Sequence, residues 1–146
     1  SSRVHEKVIA QLENAGPDCR QLEDLRVTAE QSRDAVYAGD FAALGRTMIQ
    51  NTDAQGHLHP DLIGPEARRV IEVAKSHGAL GWKVNGAGGA GGSLTLLCGP
   101  LSHAKRAMIR EIEQDSGLFQ NIPIYLSRFG LRVWETEPRR DAAPCE

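Results

Sequence analysis

The sequence predicts an α+β fold in which a small antiparallel sheet is covered by helices. Three observations lead to this class. Apolar residues recur at helical spacing through the first half of the chain, and short apolar runs typical of strands follow residue 79. One more helical segment lies among those runs, so helices and strands do not alternate strictly as they do around a parallel sheet. The length of 146 residues fits a single domain.

The first predicted helix has one apolar stripe and a signal at its end. The stripe comprises Leu22, Leu25, Ala29, Ser32 and Val36. Gly39 is expected to end the helix, because glycine readily takes the left-handed conformation that follows a helix C-terminus. Asp40 predicts the N-cap of the next helix, since its carboxylate can accept hydrogen bonds from first-turn N–H groups.

Two more helices are expected before the strands. The helix after Asp40 should turn inward Phe41, Leu44, Met48 and Ile49. Residues 53–64 interrupt this pattern with two glycines and a proline, and Pro65 fits the first position of the next helix. That helix is expected to end at Gly78 and to bury Val70, Ile71 and Ala74.

The second half of the chain predicts strands on both sides of one helix. The runs "LGWKVNG" and "SLTLLCG" read as two strands with a glycine loop between them. Ser102 is expected to cap a helix that carries Ala104, Met108, Ile109 and Ile112. The runs "IPIYLS" and "LRVWE" predict two more strands, joined by a turn at residues 128–130. We therefore expect one domain over residues 1–135 and a flexible tail over residues 136–146.

Composition excludes several classes of function. Basic and acidic residues number 17 and 19 and are interspersed, so we expect no nucleic-acid partner. No apolar run approaches the roughly 20 residues that a membrane-spanning helix needs. The three cysteines (Cys19, Cys98, Cys145) are far apart, which argues against a disulfide framework and a zinc site. A cytoplasmic protein with no membrane partner is expected.

The glycine loop "NGAGGAGGS" is the strongest functional signal. Gly86, Gly88 and Gly91 satisfy G-x-G-x-x-G, but the β-forming "SLTLLC" follows where a dinucleotide site requires a helix. A nucleotide P-loop is excluded as well, because no Lys-Ser/Thr pair closes the glycines. Such a loop lets backbone N–H groups lie against an anion or substrate without an intervening Cβ. A surface loop or a closely packed sheet corner remains the alternative.

Other chemistry-bearing residues give weaker signals. His57 and His59 flank Leu58, yet no distant third ligand has a recognisable spacing, so no metal site is predicted. Polar residues beside a substrate cleft are the simpler interpretation. No Ser-His-Asp arrangement or activated cysteine can be identified. Lys83 lies on the strand that enters the loop, where it either faces phosphate or is solvated.

The stretch "GALGWKVNGAGGAGGSLTLL" closely resembles the third conserved motif of the GHMP small-molecule kinases, which include galactokinase and the homoserine, mevalonate and phosphomevalonate kinases. In that family a helix ends in G-A-x-G-x-K-x-x-G-A-G-G-G-G, followed by an apolar strand. The positions in register are Gly78, Ala79, Gly81, Lys83, Gly86, Ala87, Gly88, Gly89 and Gly91. Ala90 departs from the usual glycine and adds a methyl group. Within the family, the sugar-kinase branch that includes heptose 7-phosphate kinase is the most similar.

The resemblance implies a ferredoxin-like sheet of the GHMP kinase C-terminal type and a binding role for the loop. The residues expected to bind substrate or phosphate are Lys83, Asn85, Gly86, Ala87, Gly88, Gly89 and Gly91. Asn51 and His59 are implied as neighbours of the substrate cleft. The implied partners are the N-terminal half of the same kinase and a small sugar substrate, and a homodimer is a further expectation.

The resemblance covers only the C-terminal half of such a kinase. The early substrate-binding segment and the P-x-S-S-G-L-G-S-S-A ATP loop do not occur in this sequence. The resemblance also implies that the catalytic Asp and Lys lie in the N-terminal half, so no catalytic residue is expected on this chain. We therefore expect a fragment of a longer enzyme whose ATP and Mg²⁺ bind elsewhere, with neither held by this chain alone. The competing hypothesis is a stand-alone regulatory or ligand-binding module with a ferredoxin-like sheet, since that architecture hosts many functions.

Overall fold

The computed structural model describes residues 2–16, 19–86, 88–89, 91–125, 128–129 and 132–134, apart from the side chains of residues 2, 3 and 5. This part of the chain contains five α-helices, one 3-10 turn and two strands. In chain order the elements are α1 (Ser2–Ala15), α2 (Arg20–Ala38), α3 (Phe41–Leu58), the 3-10 turn (Pro60–Leu62), α4 (Pro65–Ser76), β1 (Gly81–Val84), β2 (Leu94–Leu97) and α5 (Ser102–Asp115). The predicted α+β class is confirmed.

Most of the predicted helix ends are found where the sequence places them. Gly39 follows α2 with a left-handed backbone, φ 66°. The Asp40 side chain accepts a hydrogen bond of 2.8 Å from the Ala43 N–H at the start of α3, and Pro65 begins α4. The prediction for Ser102 is wrong, because it is the first residue of α5 and its side chain makes no capping bond.

The buried face of α2 differs from the predicted stripe. Thr28 and Ala35 are buried, whereas Ala29 and Val36, one residue further on, are exposed. Polar bonds to α3 fix this rotation, since the Asn51 amide donates to the Thr28 hydroxyl over 2.7 Å. The predicted stripe includes Ser32, which donates to the Thr47 hydroxyl of α3 over 2.8 Å, but it misses Thr28, because a search for apolar spacing passes over a buried threonine.

Two expectations about α3 are also wrong. Phe41 is 63% exposed, because it is the first helical residue and lies at the end of the packed region. The helix does not break at residue 53 but continues to Leu58. Burial of Ala54 and Gln55 stabilises the added turn. This burial offsets the presence of Gly56 in the helix, which costs roughly 1 kcal/mol relative to alanine.

The sheet consists of β1 and β2, paired antiparallel with Trp82 opposite Leu96 and Lys83 opposite Thr95. Helix α3 runs along the other edge of β1. The Thr52 hydroxyl of α3 donates to the Trp82 carbonyl and accepts from the Val84 N–H, at 3.2 and 3.3 Å. The helix therefore satisfies backbone groups that an edge strand would otherwise expose.

Two glycines allow α3 and β1 to approach this closely. A Cβ on Gly45 would lie 2.2 Å from the Leu80 carbonyl oxygen, and one on Gly81 would lie 2.5 Å from the Gly45 Cα. Neither distance is compatible with a side chain. The backbones of helix and strand are thus in direct contact.

Helices α4 and α5 form the core with β2. Val73 and Ala74 of α4 and Met108 of α5 are almost fully buried, and Leu96 of β2 packs against them. Two polar contacts join the same helices at the surface, His77 to Glu111 at 2.7 Å and Arg69 to Asp115 at 2.6 Å.

The two C-terminal strands predicted from "IPIYLS" and "LRVWE" are not found in the described residues of those runs. Residues 122–125 and 132–134 have no strand pairing. A hairpin on its own is marginally stable in water, and the side chains here bury little, Ile124 being 77% exposed. The predicted tail, residues 136–146, lies outside the described part of the chain. No helix within that part has both the length and the apolar character needed to cross a membrane.

Candidate functional site

The glycine loop joins β1 to β2, as the sequence predicts, rather than opening a helix. Its described glycines all have positive φ, namely Gly86 (61°), Gly88 (61°), Gly89 (83°), Gly91 (87°) and Gly92 (98°). This region of backbone conformation is costly for residues with a Cβ. The glycine content is therefore required by the path of the chain itself.

The first part of the loop packs against the backbone that precedes α4. The Gly89 N–H donates to the Leu62 carbonyl over 3.0 Å, and Gly89 forms a parallel bridge with Ile63. A Cβ on Gly88 would lie 1.9 Å from the Leu62 oxygen, and a Cβ on Gly64 would lie 2.7 Å from the Gly89 oxygen. The backbone of residues 62–64 therefore lies directly against this half of the loop.

The second part of the loop is open. Gly91 and Gly92 are exposed, and no atom lies within 4 Å of the position that a Cβ would occupy on either residue. A ligand can therefore approach this backbone. Ala87, the remaining loop residue of the predicted site, lies outside the described residues.

Asn85 closes the neck of the loop. Its N–H donates to the Ser93 carbonyl over 3.0 Å. Its side-chain amide donates to the hydroxyls of Ser93 and Thr95, at 3.1 and 3.0 Å. These bonds hold the ends of the loop together, which is a role that the sequence did not indicate.

Lys83 extends from β1 toward α3. Its ammonium donates to the Gln55 side-chain carbonyl over 2.9 Å and to the Val84 carbonyl. Burial lowers the pKa of Lys83 from its ordinary value of 10.5, because the charged form loses hydration. The Lys83 side chain is therefore half-buried, and its role toward phosphate stays a prediction.

Gln55 is the residue that the sequence interpretation missed. It is 6% exposed, and its amide donates to the Gly86 carbonyl over 3.0 Å while its oxygen accepts from Lys83. It thus links α3, β1 and the start of the loop. Its position one helical turn after Asn51 was an available signal, hidden by the expectation that the helix ends at residue 53.

A pocket of about 260 Å³ brings part of the predicted site together. Its polar lining consists of Asn51, Gln55, Lys83 and the backbone of Gly86, and its apolar lining of Val8, Leu25, Leu58 and Leu62. Asn51 and Lys83 are therefore neighbours, as a shared cleft requires.

His59 is not part of that lining. Its Nδ1 accepts a hydrogen bond of 3.2 Å from the Asp61 N–H and so caps the 3-10 turn. Its side chain is 21% exposed. Within the described residues, no three His, Cys, Asp or Glu side chains are grouped so as to hold a metal ion.

Comparison with known proteins identifies the family. A family model described as "GHMP kinases C terminal" matches residues 32–113, more than half of the chain. The match contains α3, the 3-10 turn, α4, both strands and the glycine loop. No curated protein and no solved structure was found to match. The chain therefore belongs to the GHMP kinase family and represents the C-terminal domain of such a kinase.

Proposed function

We propose that this domain is the substrate-side half of an ATP-dependent kinase that phosphorylates a sugar or a sugar phosphate. The observation that carries the proposal is the family match over the segment that holds the glycine loop. The loop's open part supports it, because exposed backbone without side chains suits a phosphate or a polyol. Phosphoryl transfer depends mainly on positioning and charge stabilisation, which such a loop can supply.

In this proposal the residues of the loop have two tasks. Asn85, Gly86, Gly88 and Gly89 hold the loop in shape through the contacts described above. Gly91 presents the backbone that meets the substrate, and Ala87 completes the binding segment. Lys83 adds positive potential beneath the loop, and Asn51 lines the same pocket. His59, which caps the 3-10 turn outside that lining, is proposed only as a more distant neighbour of the cleft.

ATP and Mg²⁺ are assigned to the N-terminal half of the complete enzyme. The reason is that the family's ATP loop does not occur in this sequence. The proposed contribution of this domain is to orient the acceptor and exclude water. A cytoplasmic location is part of the same proposal.

The test uses the complete protein encoded by the gene. Its reading frame should contain an ATP loop upstream of this domain, and ADP release should depend on a member of a panel of sugars and sugar phosphates. Gly91→Asp should lower kcat/KM by about tenfold or more, because it places a carboxylate where an anion or polyol is to bind. Gly39→Asp is the matched control, since Gly39 also has a positive φ and open space around it.

Gly39→Asp should leave kcat/KM near that of the parent. Equal kinetics for the two variants would contradict the role of the loop. Absence of any ATP-dependent phosphorylation across the panel, in a protein that lacks an upstream ATP loop, would favour the stand-alone binding module.

A further inference from the structure

The pocket between α2, α3 and the start of the glycine loop contains an ammonium group in apolar surroundings. Leu25, Leu58 and Leu62 form walls of this pocket, and Lys83 lines it together with two amides. Its volume of about 260 Å³ accommodates a small organic molecule rather than one or two waters.

Lys83 has no carboxylate partner among the residues that the structure describes. Both of its acceptors are neutral carbonyl groups, on Gln55 and Val84. Loss of hydration dominates its environment, with no opposing contribution from a negative charge. A half-buried cation paired only with dipoles is unfavourable compared with one that faces an anion.

Each of the pocket's two amides has one of its two N–H donors engaged. The Asn51 amide donates to the Thr28 hydroxyl over 2.7 Å, and the Gln55 amide to the Gly86 carbonyl over 3.0 Å. The remaining N–H of each amide and the Lys83 ammonium can serve one carboxylate, but the described lining holds no second cation for a doubly charged ligand. One cation and leucine walls instead suit a single negative charge on an apolar body.

We propose that this pocket binds a small monocarboxylate with a branched aliphatic or aromatic body, its carboxylate on Lys83 and its body against Leu25, Leu58 and Leu62. The pocket shares Lys83 and Asn51 with the proposed substrate cleft but does not include Gly91 and Gly92, and its binding test does not rest on the kinase proposal. Because Gly86 lines the pocket and bonds to Gln55, a bound carboxylate would also contact the base of the loop.

The experiment uses the 146-residue chain and titrations followed by amide and methyl NMR. The probes are isovalerate and benzoate, with isoamyl alcohol and benzyl alcohol as neutral counterparts and with inorganic phosphate and glucose as competing chemistries. We expect the carboxylates to shift the Gly86 amide and the methyl groups of Leu25 and Leu58, and to bind at least about tenfold more tightly than the alcohols.

Lys83→Met keeps an apolar side chain of similar length and should weaken carboxylate binding about tenfold or more. Lys105→Met, at an exposed lysine on α5, is the matched control and should have no effect. Leu25→Trp, which fills the pocket, should abolish binding while leaving the folded NMR spectrum intact. Equal affinity for acid and alcohol, preference for phosphate, indifference to Lys83→Met or no binding at all would each overturn the proposal.

Discussion

Gly86 and Gly88 have the same backbone angle in the glycine loop but different surroundings. Both have φ 61°. Nothing lies within 4 Å of a Cβ built on Gly86, whereas one on Gly88 would lie 1.9 Å from the Leu62 carbonyl oxygen. The pair therefore separates the cost of a left-handed alanine from the cost of displacing a neighbouring backbone.

We expect Gly88→Ala to destabilise the chain more than Gly86→Ala does. Both carry a left-handed penalty of about 1–2 kcal/mol, and Gly88→Ala adds an overpacking cost of about 1–3 kcal/mol. Urea denaturation of the two variants measures the difference in the free energy of unfolding. Equal values would show that the loop moves away from Leu62 without cost.

Lys83 makes the stability of the fold depend on alkaline pH. Burial lowers its pKa in the folded chain below the ordinary 10.5. Between the lowered pKa of the folded chain and the ordinary pKa of the unfolded chain, the unfolded chain holds the proton and the folded chain has released it. The free energy of unfolding therefore rises with pH in this interval. Below the lowered pKa, the full penalty of the buried charge is present.

Lys83→Met should remove this rise. The free energy of unfolding of the parent minus that of Lys83→Met should increase as the pH approaches 10.5 from below, and Lys105→Met should keep the parent's slope. Denaturation at a series of alkaline pH values provides the measurement. A difference that is flat with pH would contradict the burial of this charge.

For single residues, the sequence predicts the required backbone conformation better than it predicts which other residues a side chain contacts. The glycines that need positive φ can be recognised from their density, and a strand lysine can be placed near the loop. For Gln55 the sequence offers only its place one helical turn after Asn51, which the expected helix end at residue 53 hides; its contacts with Gly86 and Lys83 join positions 31 and 28 residues apart. Such pairs exist only once α3 has been packed along β1.

The contact between α3 and β1 depends on Gly45. Alanine there would gain about 1 kcal/mol of helix propensity, but its Cβ would lie 2.2 Å from the Leu80 carbonyl oxygen. The steric cost of about 1–3 kcal/mol or more exceeds that gain. Neither the added Cβ nor the Leu80 carbonyl oxygen can move away by a side-chain rotation, so the backbones themselves have to shift.

We therefore expect Gly45→Ala to lower the free energy of unfolding despite the better helix former. Gly117→Ala is the control, since nothing lies within 4 Å of its added Cβ and its φ is not positive. Thermal and urea unfolding measure both variants. A stabilised Gly45→Ala would mean that helix and strand are farther apart than described.

Local sequence signals predict where the helices begin and end, whereas tertiary packing determines how a helix is oriented and whether a strand pairs. Asp40, Gly39 and Pro65 act within a few residues of themselves, so the sequence alone places these helix ends. The orientation of α2 depends on polar bonds to α3, as between Thr28 and Asn51. The "IPIYLS" run has the composition of a strand, but strand pairing requires an edge, and Thr52 occupies that of β1.

At the scale of the whole molecule, the isolated chain should show no phosphoryl transfer. Its sequence lacks the family's ATP loop, and positioning residues alone do not transfer phosphate. Purified chain incubated with ATP, Mg²⁺ and the sugar panel should release no ADP above background, and calorimetry should detect at most weak ATP binding. Micromolar affinity for ATP would contradict this expectation.

Exposed apolar side chains near the C-terminal end should cause self-association. The exposed set comprises Leu118, Ile122, Ile124, Tyr125, Phe129, Val133 and Trp134. Large apolar side chains exposed to water favour association with another surface that covers them. Sedimentation velocity should therefore show a concentration-dependent dimer.

Ile124→Glu should shift this dimer toward monomer, because it places a charge within the apolar set. Val36→Glu, at a residue of α2 that is 62% exposed, is the matched control and should leave the dimer unchanged. A strict monomer at high concentration would contradict self-association by the parent chain.

The glycine loop is ordered in one half and open in the other, and this division affects the entropy of binding. Gln55 holds the Gly86 carbonyl and Leu62 holds the Gly89 N–H, so those residues have lost their backbone freedom before any ligand arrives. Ordering a residue costs about 1–2 kcal/mol. Among the described glycines, a ligand on the loop needs to immobilise Gly91 and Gly92, whereas Gly86 and Gly89 are preorganised for it.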